Sequence, residues 1–249
     1  MTFKRILGAA CAAVVAGLAA SSAASAAPPA NGTCTGGPVA GTYANLRITG
    51  SCSVADDARL SVLGTMTLAQ GAVFNAVSMG QVDIGGNVLV GRGATFGLGC
   101  TVIGVGCPGD THDVVGGSVV ADHPLTMYLD GDTIRGSVLS TGGGPGPTFD
   151  PYVNYPIKDN VIGGNVLVQG WQGAWFGFIR NHAGGNVVIS GNVGVAVDEN
   201  GTPDSTEVVT NTIGGNLVCT RNDPVAQIGD SGGTPNVVGG LRLGECAGL

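Results

Sequence analysis

The sequence predicts an all-β chain wound into a single parallel β-helix. Three observations carry that prediction: an excess of glycine, a seven-residue unit that recurs at irregular spacing, and polar columns that line up when the units are aligned. Of the 46 glycines in 249 residues, 44 fall in 27–249, nearly three times the usual share of ~7%. Glycine costs about 1 kcal/mol at each helix position relative to alanine, so a helical domain is excluded. The glycines come in pairs without a three-residue repeat, which excludes collagen. With 43% hydrophobic and 11% charged residues, the chain has enough apolar material for a core, which argues against disorder.

The N-terminal segment reads as an export signal. Lys4 and Arg5 precede an apolar run from Ile6 to Leu18, and Ala24-Ser25-Ala26 fits cleavage after Ala26. The predicted organisation is therefore a signal peptide over 1–26 and one β-helix domain over 27–249, secreted to the extracellular space or cell surface. No later segment has the run of about 18 apolar residues that a membrane span requires.

The repeat unit is clearest in Ile84-Gly85-Gly86-Asn87-Val88-Leu89-Val90 and Ile162-Gly163-Gly164-Asn165-Val166-Leu167-Val168, with looser copies from Val115, Ile134, Ala183, Ile213 and Val238. The second glycine falls at 86, 117, 136, 164, 185, 215 and 240, so the spacings are 31, 19, 28, 21, 30 and 25. A minimum near 20 with irregular additions describes one coil of a solenoid carrying loops of variable length. The longest additions read as 97–112, 141–159 and 197–208.

Two residues before each unit stand Val82, Asp113, Asp132, Asn160, Asn181, Asn211 and Asn236. Just after the glycine pair a second column reads Asn87, Ser118, Ser137, Asn165, Asn186 and Asn216, ending at Leu241. Amides stacked at the strand spacing of about 4.8 Å can hydrogen-bond along the stack. Phe74 and Phe96, one coil apart in Gly-Ala-x-Phe segments, are expected to stack inside, and the coils are expected to begin near Leu46. Period-two alternation places Ile84, Val88, Val90, Val115, Val119, Ile134, Val138, Val187, Ile189, Ile213 and Leu217 inward. It leaves Leu89, Val120, Leu139, Leu167, Val188 and Val218 as an outward apolar column, which must be covered or used for contact.

Outside the signal, six cysteines remain: Cys34, Cys52, Cys100, Cys107, Cys219 and Cys246. Export makes three disulfides the natural reading. Fifteen connectivities are open, and pairing neighbours (Cys34 with Cys52, Cys100 with Cys107, Cys219 with Cys246) asks least of the chain. A zinc site lacks the CxxC spacing it would need. Without Lys4 and Arg5, eight basic residues face 17 acidic ones, so neither nucleic acid nor anionic lipid is an expected partner.

Residues from about 41 onward resemble a group of secreted actinobacterial proteins in which G-A-x-[apolar] and I-G-G-N units alternate and the chain closes on I-G-G-N-L-x-C, a polar loop, V-G-G and a final cysteine. Here that closing pattern is Ile213-Gly214-Gly215-Asn216-Leu217-Val218-Cys219, Val238-Gly239-Gly240 and Cys246. The resemblance implies a right-handed parallel β-helix, supports pairing Cys219 with Cys246 and implies no catalytic residues.

Three constellations are candidates for chemistry. Asp113 and Asp132 share a column, so their carboxylates should approach each other, raising a pKa or inviting a cation such as Ca²⁺; the alternative is a corner hydrogen-bonded to backbone. Trp171 and Trp175, with Tyr152 and Tyr155, could form a carbohydrate platform, or else pack as core. Arg135, Lys158 and Arg180 could meet on neighbouring coils as a groove for an acidic sugar. No nucleophile, Walker or metalloprotease motif occurs. The expected role is structural or adhesive without catalysis, through self-association or contact with envelope polysaccharide; the alternative is a polysaccharide-binding or lyase-like module.

Overall fold

The computed structural model describes residues 28–104, 106–145 and 153–249; the predicted signal over 1–26 and Tyr152 lie outside them. The chain is a parallel β-helix. Nine strands form one parallel sheet, from Gly41–Tyr43 to Val237–Val238, and mark nine successive coils. A second sheet of 16 strands is folded over two faces, because Leu46–Ser53 pairs with Met66–Leu68 through its first half and with Val73–Ala76 through its second. Each full coil thus has three faces. The first is the nine-stranded sheet. The second, the stripe face, runs through Met66–Leu68, Val88–Val90, Val119–Asp122, Val138–Thr141, Val166–Gln169, Val187–Ser190, Leu217–Thr220 and Arg242–Gly244. The third, the aromatic face, runs through Val73–Ala76, Thr95–Leu98, Thr126–Asp130, Asn154–Lys158, Trp175–Ile179 and Glu207–Val209.

The predicted alternation holds from the Ile84 coil to the Ile213 coil. All eleven residues expected inward are buried, and Phe74 stacks on Phe96 with centroids 5.8 Å apart. The three disulfides join neighbouring cysteines: Cys34–Cys52, Cys100–Cys107 and Cys219–Cys246. Two boundaries differ from expectation. Pairing begins at Gly32–Pro38, which lies parallel to Leu46–Ser53, earlier than Leu46. The additions are also shorter than predicted, because Asn154–Lys158 and the residues from Glu207 onward are regular rungs of the aromatic face.

The three corners have one design in common. At the corner leading into the first sheet, the backbone N–H of Asp132 donates to Asn160 Oδ1 (2.9 Å), that of Asn160 to Asn181 (3.0 Å), that of Asn181 to Asn211 (2.8 Å) and that of Asn211 to Asn236 (3.0 Å). Each Asn Nδ2 in turn donates to a strand carbonyl of the preceding coil: Leu129, Ile157, Phe178 and Val208. The residue tolerating left-handed geometry is the one before the ladder position, since Gly131, Asp159, Arg180 and Thr210 have φ of 83°, 59°, 57° and 59°. At the corner after the glycine pairs the ladder runs the opposite way, with the N–H of Asn186 donating to Asn165 Oδ1 (2.8 Å), that of Asn216 to Asn186 (2.9 Å) and that of Leu241 to Asn216 (2.8 Å). A third ladder, not anticipated, links the N–H of Trp171 to Asn192, of Asn192 to Asn222 and of Asn222 to the carboxylate of Glu245, which ends the stack.

The glycine pairs follow from this stacking. None of the pair from Gly85-Gly86 to Gly239-Gly240 has a positive φ, so conformational freedom is not the requirement. Space is: a Cβ on Gly163 would lie 2.3 Å from the carbonyl oxygen of Arg135, and one on Gly164 2.4 Å from Ser137 Oγ. Gly163→Ala should therefore lower stability by roughly 1–3 kcal/mol in urea denaturation, the usual cost of forcing an extra group into filled space. Gly248→Ala, where an added Cβ meets nothing, should change it by less than about 0.5 kcal/mol; equal effects would contradict the packing argument.

Candidate functional site

Outward residues of the aromatic face form rows that run along the helix axis. The central row, read from the strand register, is Asn75, Gly97, Tyr128, Pro156, Gly177 and Glu207. Its floor is open where glycine stands: a cavity of about 350 Å³ is lined by Val73, Asn75, Val77, Thr95, Gly97 and Tyr128. The Trp175 ring lies across Gly177, whose added Cβ would meet Cη2 at 2.1 Å. Its indole Nε1 donates to Glu207 Oε1 (3.2 Å), and Lys158 Nζ stands 4.7 Å from the ring centroid. Glu207 is buried; it also accepts from Ser231, and burial pushes its pKa up to about 7. Burial, and then the nearby Arg180, lowers the pKa of Lys158. Arg180 itself is held by Asp159 through two contacts of 2.7 and 2.6 Å.

The predicted carbohydrate platform does not form as expected. Trp171 and Tyr155 are fully buried, tilted against each other with centroids 5.1 Å apart, and their polar atoms are satisfied inside. Trp171 Nε1 donates to the Leu125 carbonyl and Tyr155 Oη to Ser140 Oγ. Tyr155 alternates inward with Ile157 on its strand, and neither ring can reach a ligand. Tyr152 lies outside the described residues. Of the four, Trp175 alone is placed outward. Lys158 and Arg180 do come near each other, Arg180 being the corner residue that follows Ile179, the strand partner of Lys158, but Arg135 lies exposed on another part of the coil.

Asp113 and Asp132 occupy the first-sheet corner at the base of the loop closed by Cys100–Cys107, and both are buried. Asp113 Oδ1 accepts the N–H of Val82 (2.7 Å), while Asp113 Oδ2 and both Asp132 oxygens have no partner. The reason is visible in the ladder: the Asn residues above offer an Nδ2 donor, and an ionised carboxylate offers none. Burial pushes the Asp113 pKa up to about 7 against the hydrogen bond from Val82. Asp132 is raised well above the usual range, first by burial and then by the charges of Asp113 and Asp130. Asp130 is also buried but is held by the N–H and hydroxyl of Thr101. Of the other acidic residues on these coils, Asp110 accepts from Val102 and Asp122 is paired with His123 at 2.6 Å. A second acidic group was not anticipated: carboxylate oxygens of Asp204, Glu207 and Asp230 lie within 4.8 Å of one another, hard donors of the kind a divalent cation takes.

The Asp113 pair makes stability depend on pH. A folded pKa raised above the unfolded value of about 3.8 contributes stability below pH 4 that is lost as pH rises through about 7. The upper limit for one group moved about three units is about 4 kcal/mol. Asp113→Asn and Asp132→Asn should therefore match wild type near pH 4 and be more stable at pH 8 in EDTA, read as urea midpoints. Lower stability at pH 8 would contradict the reading, and a Ca²⁺-induced rise seen only in wild type would mark the corner as a cation site. No family model, curated protein or solved structure matches this chain.

Proposed function

We propose that the chain is an extracellular structural or adhesive β-helix that acts by surface contact, without catalysis, and that its contact surface is the stripe face. The observation that supports this reading is an aliphatic column in register on seven consecutive strands: Leu89, Val120, Leu139, Leu167, Val188, Val218 and Leu243. Its ends are open, Leu89 and Leu243 being 40% and 44% exposed. The strands beneath contact mainly their ladder neighbours. Polar neighbours flank the column on both sides, Ser137, Asn165, Asn186 and Asn216 on one and Thr141, Gln169, Ser190 and Thr220 on the other; the charges on this face stand toward its ends, Asp122 in register with Thr141 and 3.9 Å from Arg92, and Arg242 on the last strand. Export and three disulfides fit an oxidising extracellular setting, and no described helix is long and apolar enough to cross a membrane.

The occupant that fits this face is a second copy of the chain. An acidic protein repels itself wherever its charges meet, and the middle coils of this face carry no charged side chain, while Asp122 near one end stands beside Arg92. Seven steps of about 4.8 Å along the stack and four residues of about 3.3 Å across it give roughly 450 Å². A standard interface buries about 800 Å² per partner, so single contacts should be weak and become firm only when many copies are arrayed. The aromatic face favours a second reading, contact with an envelope polysaccharide, because Tyr128 and Trp175 face outward beside an open cavity.

Light scattering at concentrations up to about 1 mM, where a Kd of that order half-fills the dimer, should show reversible association of the wild type. The double variant Leu139→Lys, Leu167→Lys should stay monomeric with an unchanged circular dichroism spectrum. A monomeric wild type, or association unaffected by both lysines, would overturn the assignment.

A further inference from the structure

The geometry points to an acidic oligosaccharide site on the aromatic face, in which Lys158, held over the Trp175 ring, takes the sugar carboxylate and Tyr128 carries a sugar ring face. This deepens the polysaccharide reading and is independent of the stripe face. Lys158 is the only lysine after Lys4, and its ammonium is the unusual charge of this surface. It is half-buried, and among the described residues it makes neither a hydrogen bond nor an ion pair; its partner is the Trp175 ring, at 4.7 Å. A desolvated ammonium over an aromatic face is held partly by the ring quadrupole and keeps its three donors for a ligand. The acidic groups nearby are already engaged. Asp159 is taken up by Arg180, Asp130 turns to Thr101, and Glu207 accepts from Trp175 and Ser231.

The surface around Lys158 has the shape of an extended chain. Tyr128 and Trp175 stand on strands two rungs apart, since Thr126–Asp130 pairs with Asn154–Lys158 and that strand with Trp175–Ile179. Two rungs are about 9.6 Å, comparable with the length of a disaccharide unit. Pro156 and Gly177, between the two, are buried, Gly177 beneath the Trp175 ring, and the 350 Å³ cavity opens beside Tyr128 at Gly97. A pyranose chain laid along the helix axis would thus meet the cavity, the Tyr128 ring and then the Lys158 ammonium where it lies over Trp175. A neutral glycan would leave Lys158 without a partner. A small inorganic anion would leave Tyr128 and the cavity unused. A uronate-type sugar uses all of them.

Trp175 reports the site directly, because Trp171 is fully buried and these are the chain's two tryptophans. Tryptophan fluorescence should change saturably on titration with oligogalacturonate of four to six units, with a Kd of about 0.1–1 mM. Lys158→Gln should weaken binding at least about tenfold with an unchanged circular dichroism spectrum, and Tyr128→Ala should weaken it without altering the Trp175 emission of the free protein. Cello-oligosaccharides and sodium sulfate serve as neutral and simple-anion probes and should bind far more weakly. Equal binding of cello-oligosaccharide, unaffected by Lys158→Gln, would overturn the acidic specificity while leaving a polysaccharide surface. A sulfate response as strong as that to oligogalacturonate would overturn the glycan site, and no saturable response to either sugar would overturn both this inference and the polysaccharide reading.

Discussion

Everything in this fold depends on how a turning backbone keeps its buried N–H groups bonded. Along the strands, neighbouring coils satisfy one another through the parallel ladder. At a corner the chain changes direction and the ladder is interrupted, while the groups remain buried between coils, where an unmet N–H costs about 1–3 kcal/mol. The protein meets this with side-chain oxygens of the adjacent coil. Asn160, Asn181 and Asn211 each accept the corner N–H of the preceding coil, return an Nδ2 donor to a strand carbonyl of that same coil, and share Nδ2 with the asparagine oxygen of the following coil. One side chain thus joins three successive coils and sets their register.

The other unusual features follow from that constraint. Left-handed φ at Asp159, Arg180 and Thr210 costs about 1–2 kcal/mol per residue, and it is offset by the ladder bond made at the very next position. Glycine pairs are required because the neighbouring coil's carbonyls and side-chain oxygens occupy the space of a Cβ. Fixed register then aligns outward residues into columns, so that one aliphatic residue per coil becomes a continuous stripe, a cavity opens at Gly97, and Gly177 makes room for the Trp175 ring. Where the ladder carries Asp113 and Asp132 in place of Asn, the missing donor leaves buried oxygens unmatched, which is why acid-base behaviour concentrates at that corner.

Much of the fold was legible because the same chemistry repeats on many coils. Six of seven positions in the first polar column are Asn or Asp, and the glycine pairs fix the frame, so alternation could be read outward from them to the core and to the stripe. The third ladder was not legible. It begins on the backbone of Trp171, contains two asparagines, Asn192 and Asn222, and ends on Glu245, so no column of one residue type exists. The site was less legible for a related reason. Asn154–Lys158, with a central proline, gives little strand signal, and without that strand the inward parity of Tyr155 and the outward parity of Lys158 could not be assigned. Glu207 follows the irregular segment before it, and its meeting with Trp175 arises only from the pairing of two distant strands.

The most direct test of the corner account is native-state hydrogen exchange of the backbone amides of Asn160, Asn181 and Asn211, resolved by NMR. These amides lie outside the strand segments, yet each is bonded to an asparagine oxygen of the next coil. They should exchange as slowly as strand amides such as Ile189, through global unfolding alone. Exchange as fast as that of Asn200, which sits in an exposed loop, would show that the asparagine stacks do not hold the coils together.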